Sequence, residues 1–395
     1  MAFIQLHILR TLPFSNPNRD DAGRPKTGIM GGVERLRLSS QSIKRAIRES
    51  DAFFAAAFAT TPCHRTRTVP RMVARSMIEA GIPPEHVEAA IIEIVGALMS
   101  IKPRGTGKTA SMDLETWLAK VGSEEMVFMT QAEIDRLTAF CLEIAQSAAP
   151  QPKAAAKKKG KAGEEEEKLL SYGVKAETVV SRVFCDAGTG VDIALFGRML
   201  AKTKATEDKN VDGAVQVNHA MTTHRAVAED DYFTAMDDLD ENGAGLIQSQ
   251  GFGSGTYYSY VCIDTRTLVE NLDGDTGEAA RAIEAFIRAA IQSIPGGKKT
   301  AFAHATLPFF ARLEVGDYAN RSLADAFTAP VTDGDIQAAS VKRIEDLLAR
   351  QARAYGDPGL RSATLTTLAD ESASLDDLVR LGLSAVAGRA DDAAA

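Results

Sequence analysis

The stretch Gly190-Val191-Asp192-Ile193-Ala194-Leu195-Phe196-Gly197-Arg198-Met199 sets the reading of this chain. Val191, Ile193 and Leu195 alternate with their neighbours as in a half-buried strand, and the pattern stops at glycine, arginine and an exposed-looking methionine. A second alternating segment, Val215-Gln216-Val217-Asn218-His219-Ala220-Met221-Thr222-Thr223-His224, follows a polar stretch with Lys202, Lys204, Lys209, Asn210, Asp212 and Gly213. Together they predict a long β-hairpin projecting from a sheet. Basic residues at its tip and a flexible methionine at its root suit insertion into a groove or between stacked bases.

Outward from the hairpin, residues 3 to 10 read as a strand, with Ile4, Leu6 and Ile8 on one face and Phe3, Gln5, His7 and Leu9 on the other. A polar loop leads to Leu38-Ser39-Ser40-Gln41-Ser42-Ile43-Lys44-Arg45-Ala46-Ile47-Arg48, where a serine caps a helix that turns Ile43, Ala46 and Ile47 inward. Uncapped amides at that start attract phosphate, and Arg35, Arg37 and Lys44 add charge there. Residues 60 to 148 have helical periodicity, seen in Val87, Ala90, Ile91, Ile94 and Leu98 and in Ile134, Leu137, Cys141 and Ile144. They predict an inserted helical lobe. From Ala148 through Lys157-Lys158-Lys159-Gly160-Lys161 to Glu167 the composition is low in complexity, as in a mobile surface loop, and residues 390–395 read as disordered. After the acidic run Glu229 to Glu241, a strand from Thr256 to Ile263, a helix carrying Ile283, Phe286, Ile287 and Ile291, and a strand-like segment from Thr300 to Val315 complete the pattern. The order strand, helix, strands, helix, strand is that of an α+β, ferredoxin-like or RNA-recognition-motif core with large insertions.

The chain has 395 residues, 45% of them hydrophobic, enough for two or three domains. No apolar run is long enough to span a bilayer, and the first residues alternate like a strand rather than forming a signal sequence, so a cytoplasmic protein without membrane contact is expected. Cys63, Cys141, Cys185 and Cys262 are widely spaced, which predicts reduced, buried thiols. The net charge is −8, but residues 1 to 50 hold nine basic and four acidic side chains, a local +5 that leaves −13 elsewhere. Such asymmetry concentrates polyanion binding on one face.

Several chemistries fail on spacing. Gly105-Thr106-Gly107-Lys108-Thr109 lacks the first P-loop glycine, because position 102 is Lys102. Gly251, Gly253 and Gly255 precede no helix, against a dinucleotide site. His219 and His224 are five apart, which suits neither a helical zinc motif nor one face of a strand, so polar contacts at the hairpin root are expected. No nucleophile, metal site or cofactor is read. Asp20-Asp21 and the acidic run keep a second function class open, a magnesium-dependent ribonuclease acting on bound RNA. Tyr232-Phe233 offers a ring on which a base can stack.

These residues resemble one family: the CasC-type backbone subunit of the type I-E CRISPR Cascade antiviral surveillance complex. The resemblance rests on Asn18-Arg19-Asp20-Asp21, Gly31-Gly32, Arg37-Leu38-Ser39-Ser40-Gln41-Ser42-Ile43-Lys44-Arg45-Ala46, Gly190 to Leu195, Gly197-Arg198-Met199, Val211-Asp212-Gly213-Ala214, His219-Ala220 with Thr222-Thr223-His224, and Phe233-Thr234-Ala235 with Asp237-Asp238-Leu239. It implies a right-hand shape: a modified RNA-recognition-motif palm (1–57, 180–196 as a palm strand, 224–395), helical fingers (58–179, with a flexible loop near 150–168) and a β-hairpin thumb (197–223). It also implies a non-catalytic subunit that polymerises along the guide RNA (crRNA). Arg19, Lys26, Ser40, Gln41, Lys44, Arg45 and Arg48 match the phosphate grip, and Met199 and Phe233 match the residues that pack where the thumb kinks the guide. Tyr232 stands where a tryptophan can occur. Lys157, Lys158, Lys159 and Lys161 are the implied contacts to target DNA. The implied partners are guide RNA, target DNA, further copies of the chain, other Cascade subunits and a recruited helicase-nuclease.

Overall fold

A computed structural model describes residues 2–104, 112–152, 170–185, 189–200, 204–236, 244–318, 320–332 and 334–387. From the N-terminus the chain runs through β1 (Phe3–Ser15), β2 (Thr27–Met30), β3 (Val33–Leu38), α1 (Ser40–Arg48) and α2 (Asp51–Thr60). β4 (Cys63–Thr66), α3 (Val69–Glu79), α4 (Pro84–Glu93), α5 (Leu114–Lys120), β5 (Val127–Thr130) and α6 (Gln131–Ser147) follow. Next come β6 (Gln151–Pro152), β7 (Leu170–Ser171), α7 (Ala176–Val183), α8 (Gly190–Phe196) and α9 (Lys204–Glu207). The chain continues with β8 (Val215–Val217), β9 (Ala220–Thr222), β10 (Glu229–Met236), β11 (Ala244–Asp264), α10 (Thr265–Asn271) and α11 (Thr276–Gln292). α12 (Lys299–Phe302), β12 (Phe310–Gly316), α13 (Ile336–Tyr355), β13 (Arg361–Thr366) and α14 (Leu375–Ala387) complete it. This is a mixed α+β protein with two compact units, one of Met1–Ala56 with Ala214–Ala395 and one of Ala57–Gly213.

The first unit is built on an antiparallel sheet with the order β13-β12-β1-β11-β9-β3-β2, and β8 also pairs with β11. Central β1 runs beside β11 from Phe3↔Asp264 and beside β12 from Phe3↔Gly316. Because alternate side chains leave opposite faces, Ile8, Tyr257 and Val261 turn toward α1 and α11, while Leu9, Tyr258 and Tyr260 turn toward Phe327 and Ile344. Both faces are therefore covered, and the predicted polar side of β1 is as dry as the other. Gln5 and His7 are fully buried there. Tyr260 donates to Gln5 Oε1 at 2.9 Å, and His7 Nδ1 lies 3.0 Å from the Tyr258 hydroxyl. Glu314 completes the cluster, 2.9 Å from Arg312 and 3.2 Å from Arg321. Burial opposes its ionisation, yet His7 and the two arginines hold its carboxyl at about 2.

The second unit is mostly helical, as its periodicity predicts. Val87, Ala90, Ile91 and Ile94 of the α4 region pack with Ile134, Leu137 and Cys141 of α6 around Trp117. A capping box starts α6: Thr130 accepts from the Glu133 N–H at 3.1 Å, and Glu133 accepts from the Thr130 N–H at 2.8 Å.

Three expectations need correction. Residues 190–196 form helix α8 rather than a palm strand, and Gly190 to Leu195 are all buried. Asp192 lies in the first turn, where a carboxylate suits the helix dipole, and Gly197 at φ 80° is a helix stop. Short apolar runs do not distinguish helix from strand by periodicity. Consequently the 197–223 hairpin is absent among the described residues: Arg198↔Val211 is a single antiparallel bridge, and β8 and β9 join the main sheet through β11. Finally, Cys185 is exposed, whereas Cys63, Cys141 and Cys262 are buried, and none of the four is in a disulfide. Residues 153–169 of the low-complexity loop, including Lys157, Lys158, Lys159 and Lys161, lie outside the described residues, as do residues 105–109 and 390–395.

Candidate nucleic-acid interface

The start of α1 organises the site. A helix leaves its first four amides without intrahelical partners. Here Ser39 N–H donates to Asn18 Oδ1 at 2.8 Å, Ser40 N–H to His219 Nδ1 at 3.2 Å and Ser42 N–H to Ser39 Oγ at 3.3 Å. Among the described residues, the Gln41 amide is the first-turn donor without such a side-chain acceptor. The expected uncapped helix start is thus largely occupied, and the attraction for anions rests on side-chain charge.

His219 lies beside that charge. Its Nδ1 faces both the Ser40 N–H and Arg37 Nη1, 3.1 Å away, so the hydrogen-bond network assigns the ring proton to Nε2. Burial, then Arg37 and Lys26, lower its pKa. Arg37 and Lys26 thus place positive charge beside the α1 start. His224 is likewise structural, with Nδ1 donating to the Arg225 carbonyl at 2.7 Å and Nε2 accepting from Thr256 at 3.1 Å.

The loop carrying Arg19 hangs on two asparagines. Buried Asn16 donates to the carbonyls of Gly23 and Gly251 at 2.9 and 2.8 Å. The Asn18 carbonyl accepts from the Lys26 N–H at 3.0 Å while its side chain holds Ser39. This brings Arg19, Lys26, Ser40 and Gln41 together. Asn18 and Arg37 support the site: Arg37 was read as added charge at the helix start, whereas Asn18 was legible only as the neighbour of Arg19. Asp20 is committed to the turn, accepting from the Arg24 N–H at 2.9 Å. No cluster of three or more His, Cys, Asp or Glu suited to a metal forms among the described residues.

On α1, Ser40, Gln41, Lys44, Arg45 and Arg48 occupy an arc of about 140° at ~100° per residue, opposite Ile43, Ala46 and buried Ile47. Arg45 at one edge pairs with Glu49 at 2.8 Å, an exposed i,i+4 contact. The local +5 overstates the usable charge. Arg10 is buried against the Ser293 and Ile291 carbonyls at the end of α11, its pKa lowered by burial to about 10. Arg35 is buried against the Thr222 and Phe327 carbonyls, each at 2.9 Å. Both arginines serve the fold.

Beside this patch rises the long ribbon of the first unit. β10 pairs with the first part of β11 from Glu229↔Phe252 to Met236↔Ala244, and from Gly253 onward β11 belongs to the main sheet. At ~3.4 Å per residue, the eight residues of β10 extend about 27 Å. Arg24 ties its base to the Arg19 loop through Asp230 at 2.9 Å, as does the Asn16 bond to Gly251. Tyr232 and Phe233, opposite Ser249 and Gln248, lie on its two faces and are 67% and 37% exposed. The acidic run was thus a strand in part, and alternation was hidden by consecutive carboxylates.

In the second unit, Met199 is 76% exposed. Gly197 and Gly213 pack backbone to backbone beneath it: a Cβ on Gly197 would meet Gly213 N at 2.8 Å, and one on Gly213 would meet the Phe196 carbonyl carbon at 2.7 Å. Only glycine fits either position.

Among the described residues no helix is long and apolar enough to cross a membrane. A family profile described as CT1975-like protein matches residues 4–384. Among solved structures, a chain titled "CRISPR RNA-guided surveillance complex, pre-nicking" is 29% identical with a TM-score of 0.78, covering 97% of this chain and 100% of that one. A chain titled "CRISPR RNA-guided surveillance complex" is 24% identical with a TM-score of 0.55, covering 98% of this chain and 99% of that one, a likeness of fold. No individually curated sequence matches. With a profile match spanning nearly its whole length, the chain belongs to the CT1975-like family, that of the CasC-type subunit its motifs resemble.

Proposed function

We propose that this protein is a non-catalytic, guide-RNA-binding backbone subunit of a type I-E CRISPR Cascade surveillance complex. Copies polymerise along the guide and support its pairing with target DNA, alongside other Cascade subunits and a recruited helicase-nuclease. The observation that carries this reading is the cationic patch of Arg19, Lys26, Arg37 and α1, braced by Asn18. The similar solved chain titled as part of an RNA-guided complex supports the same reading.

The order β12-β1-β11-β9 supports regarding the sheet as a modified RNA-recognition-motif palm. An ordinary motif of that kind stacks bases on its sheet, but both faces of this one are covered. RNA therefore runs along α1 and the Arg19 loop, where protein reads the backbone and pairing reads the sequence. Lys44 and Arg48 continue the grip along α1, with Arg45 at its margin. The thumb role passes from 197–223 to the β10–β11 ribbon, which presents Tyr232 and Phe233 to a kinked base. Met199 supplies an apolar wedge indifferent to base identity. Lys157, Lys158, Lys159 and Lys161 remain the proposed contacts to target DNA.

The test is co-expression with a repeat-spacer transcript, followed by sizing of the bound RNA and a salt titration of rebinding. Several copies on one intact RNA are expected. Each of Lys26→Ala and Lys44→Ala should reduce the log–log salt slope by about 0.7, the value for one phosphate contact on a single strand. Absence of RNA, or trimming only with magnesium, overturns the reading, the second in favour of a ribonuclease.

A further inference from the structure

Met199 is an exposed thioether between two buried neighbours, Arg198 and Leu200. Ordinary surface methionines have mobile surroundings; this one has a fixed support. The Arg198 N–H donates to the Val211 carbonyl at 2.9 Å, and the Val211 N–H returns the bond to Arg198 at 2.9 Å. Beyond Met199, the Leu200 N–H donates to Asn210 Oδ1 at 2.6 Å. The backbone on both sides of the methionine is held.

Arg198 anchors this support to the helical core. Its Nη1 lies 2.7 Å from Glu133 Oε1, with both side chains buried. Its Nε donates to the Lys209 carbonyl at 3.1 Å, and its guanidinium lies over the Phe184 ring at 5.0 Å from the centroid. The other Glu133 oxygen accepts from the Thr130 N–H in the α6 capping box. The carboxylate is thereby oriented by the first turn of a 17-residue helix, and the planar guanidinium transmits that orientation to the turn. A buried ion pair adds little net stability compared with apolar residues of the same volume, but its fork geometry fixes direction.

We propose that Arg198 and Glu133 are positioning residues that preset Met199 as an apolar wedge in the free protein, before RNA arrives. This rests on the RNA-binding reading above. An unanchored methionine would have to be ordered at each base step. With the ion pair in place, the wedge direction is fixed by α6.

The test uses assembled filaments on a guide carrying 2-aminopurine at one base at a time, with saturating protein. Wild-type filaments should brighten the probe at regularly spaced bases, reporting unstacking, and Met199→Ala should abolish the signal. The double variant Glu133→Gln with Arg198→Met removes both charges together and retains an acceptor for the Thr130 cap. It should bind RNA with the same stoichiometry yet lose the periodic brightening. If the double variant does not fold, Arg198→Lys keeps the charge but lacks the planar fork, and should lose the signal in the same way. Brightening at wild-type level in the folded variant, with Met199→Ala dark, overturns the positioning role. An unchanged signal in Met199→Ala removes the wedge and the proposal with it. Failure of the wild-type chain to assemble on RNA instead defeats the underlying functional reading.

Discussion

Segments 197–213 and 229–252 each present apolar side chains to solvent, yet they are built by opposite means. The first is a turn pinned where its ends meet, by two glycines in backbone contact, the Arg198↔Val211 bridge and the buried ion pair of Arg198, next to Met199. The second is a two-stranded ribbon whose register is set by ladder bonds and whose aromatic residues lie on both faces. An isolated two-stranded ribbon is marginal in water. Its root is therefore where the protein invests contacts, through Asn16, Arg24 and the continuation of β11 into the sheet. The comparison teaches that the turn is braced by backbone contact and a buried ion pair, and the ribbon by the bonds at its root.

The largest effect expected from this contrast is on folding of the turn. Gly213→Ala places a Cβ within 3 Å of three backbone atoms of residues 195–197, none of which has a rotamer to yield. A loss of about 3 kcal/mol is expected, typical of a backbone clash in a closely packed turn. Trp117 is the chain's one tryptophan and lies in the helical core, so its fluorescence in urea reads this unit directly. An unchanged midpoint would mean that the turn has room to relax and is not rigid.

The ribbon should behave in the reverse sense. Tyr232→Ala with Phe233→Ala should shift stability by about 0.5 kcal/mol or less, as surface changes do. RNA affinity should fall by about 1–3 kcal/mol for each base that loses a stacking partner. Fluorescence anisotropy of a labelled guide, set beside the unfolding curve, separates the two quantities. If stability collapses while RNA affinity holds, the rings belong to the fold and the ribbon is no thumb.

A third prediction concerns the sheet that roots the ribbon. His7 is buried with its pKa lowered by desolvation, the neighbouring Glu314 only partly offsetting this, so the unfolded chain takes up a proton below about 6.5 that the native state resists. Stability should fall as pH drops below that value. Glu314 adds a second decline: its native pKa of about 2 is below the ordinary value of 4.5, so the stability it contributes is complete above 4.5 and is lost as pH falls from there toward 2. Amide exchange in β1 and β11 should accelerate over this range, with His7→Gln flattening only the upper part. Equal acid sensitivity in that variant would separate the decline from His7.

How far the sequence revealed all this depends on the kind of signal. β1, α1, α4, α6 and α11 were legible because each has one strong apolar periodicity and ends in a cap or turn residue. Ser39 as the α1 cap was legible for the same reason. The α8 reading failed because Val191, Ile193, Leu195 and buried Asp192 alternate without any alternation in exposure. The ribbon was missed because Glu229, Asp230 and Asp231 mask strand periodicity, and strand pairing across residues 237–243 leaves no local pattern. Within the candidate site, residue identity indicated charge but not use: Arg10 and Arg35 read as part of the patch until their carbonyl partners were seen. Asn18 and Arg37 act through bonds to residues distant in sequence, and composition contains no trace of such bonds.

The smallest effect locates RNA relative to the ribbon root. In the free protein the His219 pKa lies below its ordinary 6.5, from burial and from Arg37 and Lys26. A guide phosphate at the α1 start brings negative charge against those same two cations and offsets their field, so RNA binding should raise the His219 pKa. Arg37→Gln should raise it in the free protein and shrink the further rise on binding. Imidazole resonances followed through a pH titration, with and without RNA, give the sign directly. The Asn16 and Asn18 bonds join the α1 start to the base of the ribbon, so a rise in His219 would place the guide where the ribbon can close over it. An unmoved His219 in an RNA-bound filament would put the guide elsewhere and leave the ribbon without its proposed substrate.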